Sequence, residues 1–292
     1  MKHLNKFVAV CILAMISLYV VCKFPSADDN DDTGGSSTLW VKFDANGGTG
    51  SIDSMAFSPG DTKNLTHNNG EISRSGYRFI SWNTAPDRSG TEYIQQKSVT
   101  LTDSDLTLYA QWYKVYEIGE NGPGGGLVFY KRYNADDIIL NYPEWIYLEA
   151  APATSETELK WGETTSAYVI NETFTDTPGS GKENTDLITA KFSGDYAAQY
   201  CQSLTVGGKN DWYLPTRVEL AYMYEKLFKS SLGGFETDKP YWSSRQGNYS
   251  SATPTGEQYA YVMIFDADIS GYTQLNAHTK GNKYYVRAVR RF

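Results

Sequence analysis

Cysteine is scarce: the 292 residues hold three, Cys11, Cys22 and Cys201. Two of them fall in the first 22 residues, so beyond residue 22 Cys201 stands alone and no intrachain disulfide can form there. Histidine is as rare, with His3, His67 and His278, which leaves Cys201 no obvious base to activate it as a nucleophile. Positive charge is not in excess: the formal charge is -8, and about -10 once Lys2 and Lys6 are removed. The basic residues form no stripe, so nucleic acid is excluded as the expected partner. The apolar run from Phe7 to Val21 stops at 15 residues, short of the roughly 18 to 20 that a spanning helix needs. Aromatic residues, in contrast, are plentiful: 23 Tyr, 12 Phe and 7 Trp. Stability must therefore come from packing, and the 255 or so residues after position 37 suffice for one or two domains.

The first 22 residues have the layout of an export signal: a basic start (Lys2, His3, Lys6), an apolar run, then Cys22 and a polar tail. Cys22 directly follows Leu18-Tyr19-Val20-Val21 and sits where a bacterial lipoprotein signal places its lipid-bearing cysteine, which this region resembles. Val20 and Val21 are bulkier than the small residues usual there, so ordinary cleavage and an uncleaved anchor stay open beside lipidation. Residues 23–37, KFPSADDNDDTGGSS, have too little apolar content to fold and read as a disordered tether. The expected location is the cell envelope, lipid-anchored and surface-exposed.

From Thr38 to Trp112 short strands alternate with turn chemistry. Trp40, Lys42 and Asp44 alternate with Val41, Phe43 and Ala45 ahead of Asn46-Gly47-Gly48, which tolerate positive φ, and this predicts a hairpin edge. Tyr77, Phe79, Trp82, Tyr93, Leu106, Leu108, Tyr109 and Trp112 are the expected core. The same rings could form a carbohydrate platform, but so small a unit needs its large apolar residues inside. The spacing of VKFDANGGTG, SGYRFISWNT, GTEY and TLYAQW resembles the internalin-B-type, or Listeria-Bacteroides, repeat. That resemblance implies one β-grasp-like repeat domain of a bacterial surface protein over residues 38–112.

In residues 113–292 the glycines of GENGPGGG lead into a strand, Leu127–Tyr130, without the Lys-Ser/Thr ending or helix start of a phosphate loop; a tight turn is expected. Trp145–Pro152 reads as a strand. Residues 153–185, rich in Thr, Ser, Glu, Asn and Gly, read as an extended loop region suited to recognition. A helix is predicted over Tyr196–Leu204, its face formed by Ala197, Ala198, Cys201 and Leu204, which makes Cys201 a buried small residue. Thr216 and Glu219 form a capping box that opens a helix from about Arg217 to Phe228, with Leu220, Met223, Tyr224 and Leu227 on its apolar face. Tyr259–Phe265 and Tyr284–Phe292 read as strands, the latter paired inside a sheet. The predicted class is α+β.

Six ordered blocks, IGENGPGGGLVFY, WIYLEAAP, TDLI, GGKNDWYLPTRVEL, YWSS and YVRAVRRF, resemble the C-terminal domain family of the Legionella collagen-like adhesin over about residues 116–292. The resemblance implies a C-type-lectin-like fold related to the formylglycine-generating enzyme. One adhesin of that family binds sulfated glycosaminoglycans, but fold alone does not carry a ligand.

For calcium-dependent sugar binding, the EPN and WND motifs are absent. Asp211 is assigned to backbone donors, and only Asp266 and Asp268, flanking a hairpin turn, stand as weak metal candidates. For an anionic glycan the cations are Arg287, Arg290, Arg291, Lys280 and Lys283. The period of two puts Arg287 and Arg291 on one strand face and Arg290 on the other. For Arg287 and Arg290 structural pairing with a carboxylate such as Glu219 is the preferred reading over ligand contact. Ligand contacts are expected at Tyr241, Trp242, Arg287 and Arg291. No catalytic set and no cofactor are expected, since no spacing ties two carboxylates to acid-base work. The expected function is a non-enzymatic envelope lipoprotein that binds a glycan, sulfated or not, or a surface or matrix protein. A structural envelope protein is the alternative, and a degenerate enzyme the third reading.

Overall fold

The computed structural model describes residues 37–94, 96–132, 144–163, 175–247, 258–266 and 275–292. Cys11, Cys22, nearly all of the tether, Asp268 and part of the 153–185 region therefore lie outside the described residues.

Nine short strands fill residues 39–114 of the described chain: β1 (Leu39–Asp44), β2 (Thr49–Gly50), β3 (Met55–Phe57), β4 (Thr62–Asn64), β5 (Ile72–Ser73), β6 (Tyr77–Asn83), β7 (Glu92–Tyr93), β8 (Ser98–Thr100) and β9 (Leu106–Lys114). The main sheet runs β3-β1-β9-β6-β7, with β1 and β9 parallel and the other pairs antiparallel. Alternation in β1 buries Leu39 and Val41 and leaves Trp40 and Lys42 outside. Phe79, Trp82 and Leu108 are buried as expected, with Tyr93, Leu106 and Trp112 half-buried against them; Tyr77 and Tyr109 stay partly exposed outside this cluster. The Asn46-Gly47 turn forms, both φ being positive (47° and 80°). The strand leaving it does not fold back on β1, however: β2 pairs with β5, and β1 takes β3. The Trp112 indole occupies the corner, donating to the Ala45 carbonyl at 2.9 Å and packing where a Cβ on Gly48 would stand.

The remainder forms a mixed α+β unit, mostly sheet. Its strands are β10 (Leu127–Lys131), β11 (Tyr147–Ala150), β12 (Thr157–Lys160), β13 (Lys239–Gln246), β14 (Tyr259–Phe265), β15 (Leu275–Thr279), β16 (Lys283–Val286) and β17 (Val289–Arg291); its helices are α1 (Gly181–Lys191), α2 (Ala197–Ser203) and α3 (Arg217–Lys226). Among the described residues no strand pairing joins this unit to residues 39–114. Tyr113 and Tyr116 bridge the two, clustering with Tyr147 and Phe292.

Two sheets build the unit, β10-β11-β17 and β12-β16-β13-β14-β15. The five-stranded sheet is covered on both faces. Trp242, Ala260, Val262, Tyr284 and Val286 face α1 and α2, meeting Ile188, Phe192, Ala197, Ala198 and Cys201. Their neighbours Tyr241, Met263, Phe265 and Tyr285 face α3, meeting Leu220, Met223, Tyr224 and Leu227. Burying a side chain such as these is worth roughly 1.5 to 3 kcal/mol relative to exposure, so the two layers carry the stability that disulfides cannot.

The Thr216 capping box is complete: its hydroxyl accepts from the Glu219 amide at 3.0 Å, and the Glu219 carboxylate accepts from the Thr216 amide at 2.7 Å. Helix α3 is shorter than expected. It ends at Lys226 and tightens into a 3-10 turn, Phe228–Ser230, closed by Ser231 in the left-handed region (φ 57°). The 153–185 region is less loop-like than its polarity suggested, because β12 and the start of α1 lie within it. β12 hydrogen-bonds to β16, and the Gly181 backbone packs against Glu219 and Tyr213. β17 pairs with β11 on one side, and Val289 exchanges hydrogen bonds with Tyr213 on the other at 2.8 and 3.0 Å. The expected interior placement of that strand holds.

Candidate functional site

Three of the four expected contact residues lie inside the molecule. Tyr241 and Trp242 are adjacent in β13, so their side chains point to opposite sheet faces; both faces are covered, and both residues are fully buried. Trp242 donates its indole N–H to the Leu159 carbonyl at 2.9 Å. Arg287 is 1% exposed, its charge met by Glu156 at 2.6 Å and by the Gly233 carbonyl at 2.8 Å, with the Phe235 ring 4.3 Å from the guanidinium. Tyr241 donates to the other Glu156 oxygen at 2.9 Å. The structure thus brings Tyr241 and Arg287 together around a buried carboxylate instead of a surface ligand. Burial raises the Glu156 pKa, opposed by Arg287 and the Tyr241 hydroxyl.

Arg291 alone of the four keeps an accessible side chain, 24% exposed, and it bonds the Gly179 carbonyl at 3.0 Å and Glu183 at 2.9 Å. The shared strand face expected for Arg287 and Arg291 does not form, because the strand is interrupted at Arg287-Ala288 between β16 and β17. Of the other cations, Lys280 is buried against the Trp161 ring at 4.6 Å, and Lys283 is exposed.

Arg290 is the hub of the unit. Its NH1 donates to Glu149 at 2.7 Å, and its Nε and NH2 hold Asp211 at 2.6 and 2.8 Å. Glu149, fully buried, also accepts from the Gly124 amide at 2.9 Å and the Gly126 amide at 3.1 Å. The glycine-rich turn is therefore an anion cradle whose anion is the chain's own carboxylate. Side chains have no room there: a Cβ on Gly126 would stand 2.0 Å from the Ala150 carbonyl oxygen. Asp211 thus serves an arginine, and the structural pairing foreseen for Arg287 and Arg290 is real, with partners other than Glu219. Burial opposes the charge on Arg290, yet its two carboxylates outweigh this and raise its pKa. In Asp211 burial likewise acts to raise the pKa, and Arg290 reverses it, leaving the value lowered.

Glu219 has a different role. Its carboxylate accepts from the Gly179 amide (2.6 Å), the Thr216 amide (2.7 Å) and the Tyr213 hydroxyl (3.1 Å), and so ties the entry to α1 to the start of α3. Burial outweighs these donors and lifts its pKa to about 7. Cys201 is fully buried, and burial pushes its thiol far up, which keeps it in the unreactive form. Asp266 is half-buried and lends its backbone carbonyl to the Tyr224 hydroxyl at 2.7 Å. No group of three or more potential metal-ligating side chains occurs among the described residues.

Sequence reasoning missed one surface that remains open. A cleft of about 350 Å³ runs along α3 and β14, lined by Val218, Ala221, Tyr222, Glu225, Lys226 and Met263. The half-exposed Tyr222 ring is backed by Tyr130 at 4.7 Å, which in turn packs on Trp145 at 6.4 Å. Beside it Arg217 lies 4.6 Å over the Tyr261 ring and is paired with Asp176. Tyr222 is the i+2 neighbour of Leu220 on α3, off the apolar stripe. That was the only sequence signal available.

Residues 40–111 match the family model of the Listeria-Bacteroides repeat domain, and residues 153–290 match that of the Lcl C-terminal domain. Both expected families are therefore present in the expected order, although the second match begins after the glycine turn and β11. No curated protein matches the chain. The two matches together point to a surface, adhesin-like bacterial protein. No helix among the described residues is long and apolar enough to cross a membrane.

Proposed function

We propose that this chain is an exported envelope lipoprotein, attached through Cys22, whose C-terminal unit holds a glycan or protein partner without chemistry. The observation that carries the reading is the succession of a Listeria-Bacteroides repeat and an Lcl C-terminal domain in one chain. The repeat acts as a β-grasp-like spacer, a reading supported by the parallel pairing of its first and last strands. The C-terminal unit is C-type-lectin-like, supported by β17 returning to pair beside β11, near the start of the unit. The non-enzymatic reading draws on the placement of Glu219 and Cys201: both are strongly perturbed, and both are sealed from solvent.

The test is binding of the purified chain to arrayed glycans and to immobilised matrix proteins, together with mass spectrometry of its native N-terminus. Retention on at least one surface and a diacylglyceryl group on Cys22 are expected. Failure to bind either class would sink the recognition reading, and an unmodified N-terminus at Cys22 the anchoring one.

A further inference from the structure

We propose that the cleft between α3 and β14 is a saccharide subsite that takes a neutral hexose ring, stacked on Tyr222; this rests on the recognition reading above and names its site. The size fits first: about 350 Å³ falls at the lower end of small-molecule pockets. The wall combines an apolar floor of Val218, Ala221 and Met263 with the half-exposed Tyr222 ring. The C–H face of a pyranose needs such a surface.

Hydrogen-bonding capacity is present and unspent. Neither the Tyr222 nor the Tyr261 phenol hydroxyl has a partner among the described residues, and both rings are half-exposed. Sugar hydroxyls, which donate and accept, suit such uncommitted phenols.

Charge selects the neutral class. Arg217 is spent on Asp176 and Glu225 on Lys229 at 2.9 Å, leaving Lys226 as a lone cation at the rim. A single exposed lysine cannot supply the field that concentrates a polyanion. A protein partner would instead need an apolar patch, yet the large apolar residues exposed in the described chain are Trp40, Ile94 and Leu232, none of them here. The site is also rigid. The complete capping box fixes α3, and Tyr130 backs the stacking ring, so little ordering cost falls on binding.

The experiment is saturation-transfer NMR and titration of the whole chain with cellohexaose, maltohexaose and mannohexaose, with heparin and fibronectin as the other classes. One neutral hexaose is expected to bind through its ring C–H protons. Tyr222→Ala and, independently, the cleft-filling Val218→Trp should each weaken it roughly tenfold or more, the loss expected for an anchoring contact. Tyr222→Phe, which keeps the stacking face, should cost about threefold or less; unchanged melting temperatures of the three variants certify the fold. Neutral-sugar binding that survives both Tyr222→Ala and Val218→Trp overturns the proposal. So does binding confined to heparin or fibronectin, which would leave the recognition reading standing. Binding of none of the probes would overturn both.

Discussion

One arginine serves two carboxylates at nearly equal distances, and this supplies an internally controlled test of what burial does to an ion pair. Arg290 meets Glu149 at 2.7 Å and Asp211 at 2.6 and 2.8 Å, but the Glu149 side chain is fully buried while that of Asp211 is 46% exposed. Glu149→Gln keeps the shape and removes the charge. It turns an amide NH₂ toward either a glycine N–H or the guanidinium, leaving at least one buried donor unmet at about 1 to 3 kcal/mol. Adding the loss of a desolvated partner, we expect about 3 to 5 kcal/mol of destabilisation in total. Asp211→Asn, screened by solvent, should cost about 1 kcal/mol or less. Urea unfolding followed by tryptophan fluorescence, at unchanged m, reads both values. Added salt should shrink the Asp211 effect and spare that of Glu149. Equal losses for the two variants, or a loss under about 1 kcal/mol for Glu149→Gln, would refute the reasoning.

Three further outcomes follow from the same geometry. Glu219 has a folded pKa of about 7 against an ordinary 4.5, so the folded state holds a proton that the unfolded chain has released. Its contribution to stability should be greatest below pH 4.5 and should fall by up to about 3 kcal/mol as pH rises through 7; Glu219→Gln should remove that part of the slope in urea titrations at pH 5 and 8, and a slope unchanged by the substitution would count against it. Gly126→Ala places a methyl against the Ala150 carbonyl and should cost more than about 2 kcal/mol, whereas alanine at Gly60, where nothing lies within 4 Å, should cost less because only its positive φ is strained. Cys201, fully buried, should resist a thiol reagent in the native chain and react only as fast as the unit opens; stoichiometric labelling within seconds under native conditions would show that the helix face is not sealed.

Local chemistry was legible where one short segment decides the outcome. The T-x-x-E cap, the apolar face of α3 and the sheltered Cys201 were readable because each depends on periodicity within a few residues. The hairpin after β1 was not: the competitor for that corner, Trp112, comes from 64 residues later. Tyr241 and Trp242 were misjudged for a related reason. Adjacent strand residues look like one inside and one outside only when a single face is covered, and the second covering layer, α1 and α2, was partly hidden in a polar stretch read as loop. The glycine turn into a strand was readable, yet what its amides hold could not be seen, since Glu149 is an ordinary letter in a strand until Arg290 arrives beside it. The Tyr222 cleft left only one faint signal, an aromatic ring off the apolar stripe of α3. Its residues belong to two elements that only the sheet order brings together.

The clamp between Arg290 and Glu149 also bears on time. Its two ends are 141 residues apart, and Arg287 reaches Glu156 across 131. Loops of that length must close before the contacts that reward closure exist, and chains dominated by such pairings fold slowly. On the reading of an exported chain, slow closure keeps the C-terminal unit threadable while it crosses a membrane. Contacts made only after the folding transition state slow unfolding without changing the rate of folding, so clamps that close late lengthen the life of the folded unit.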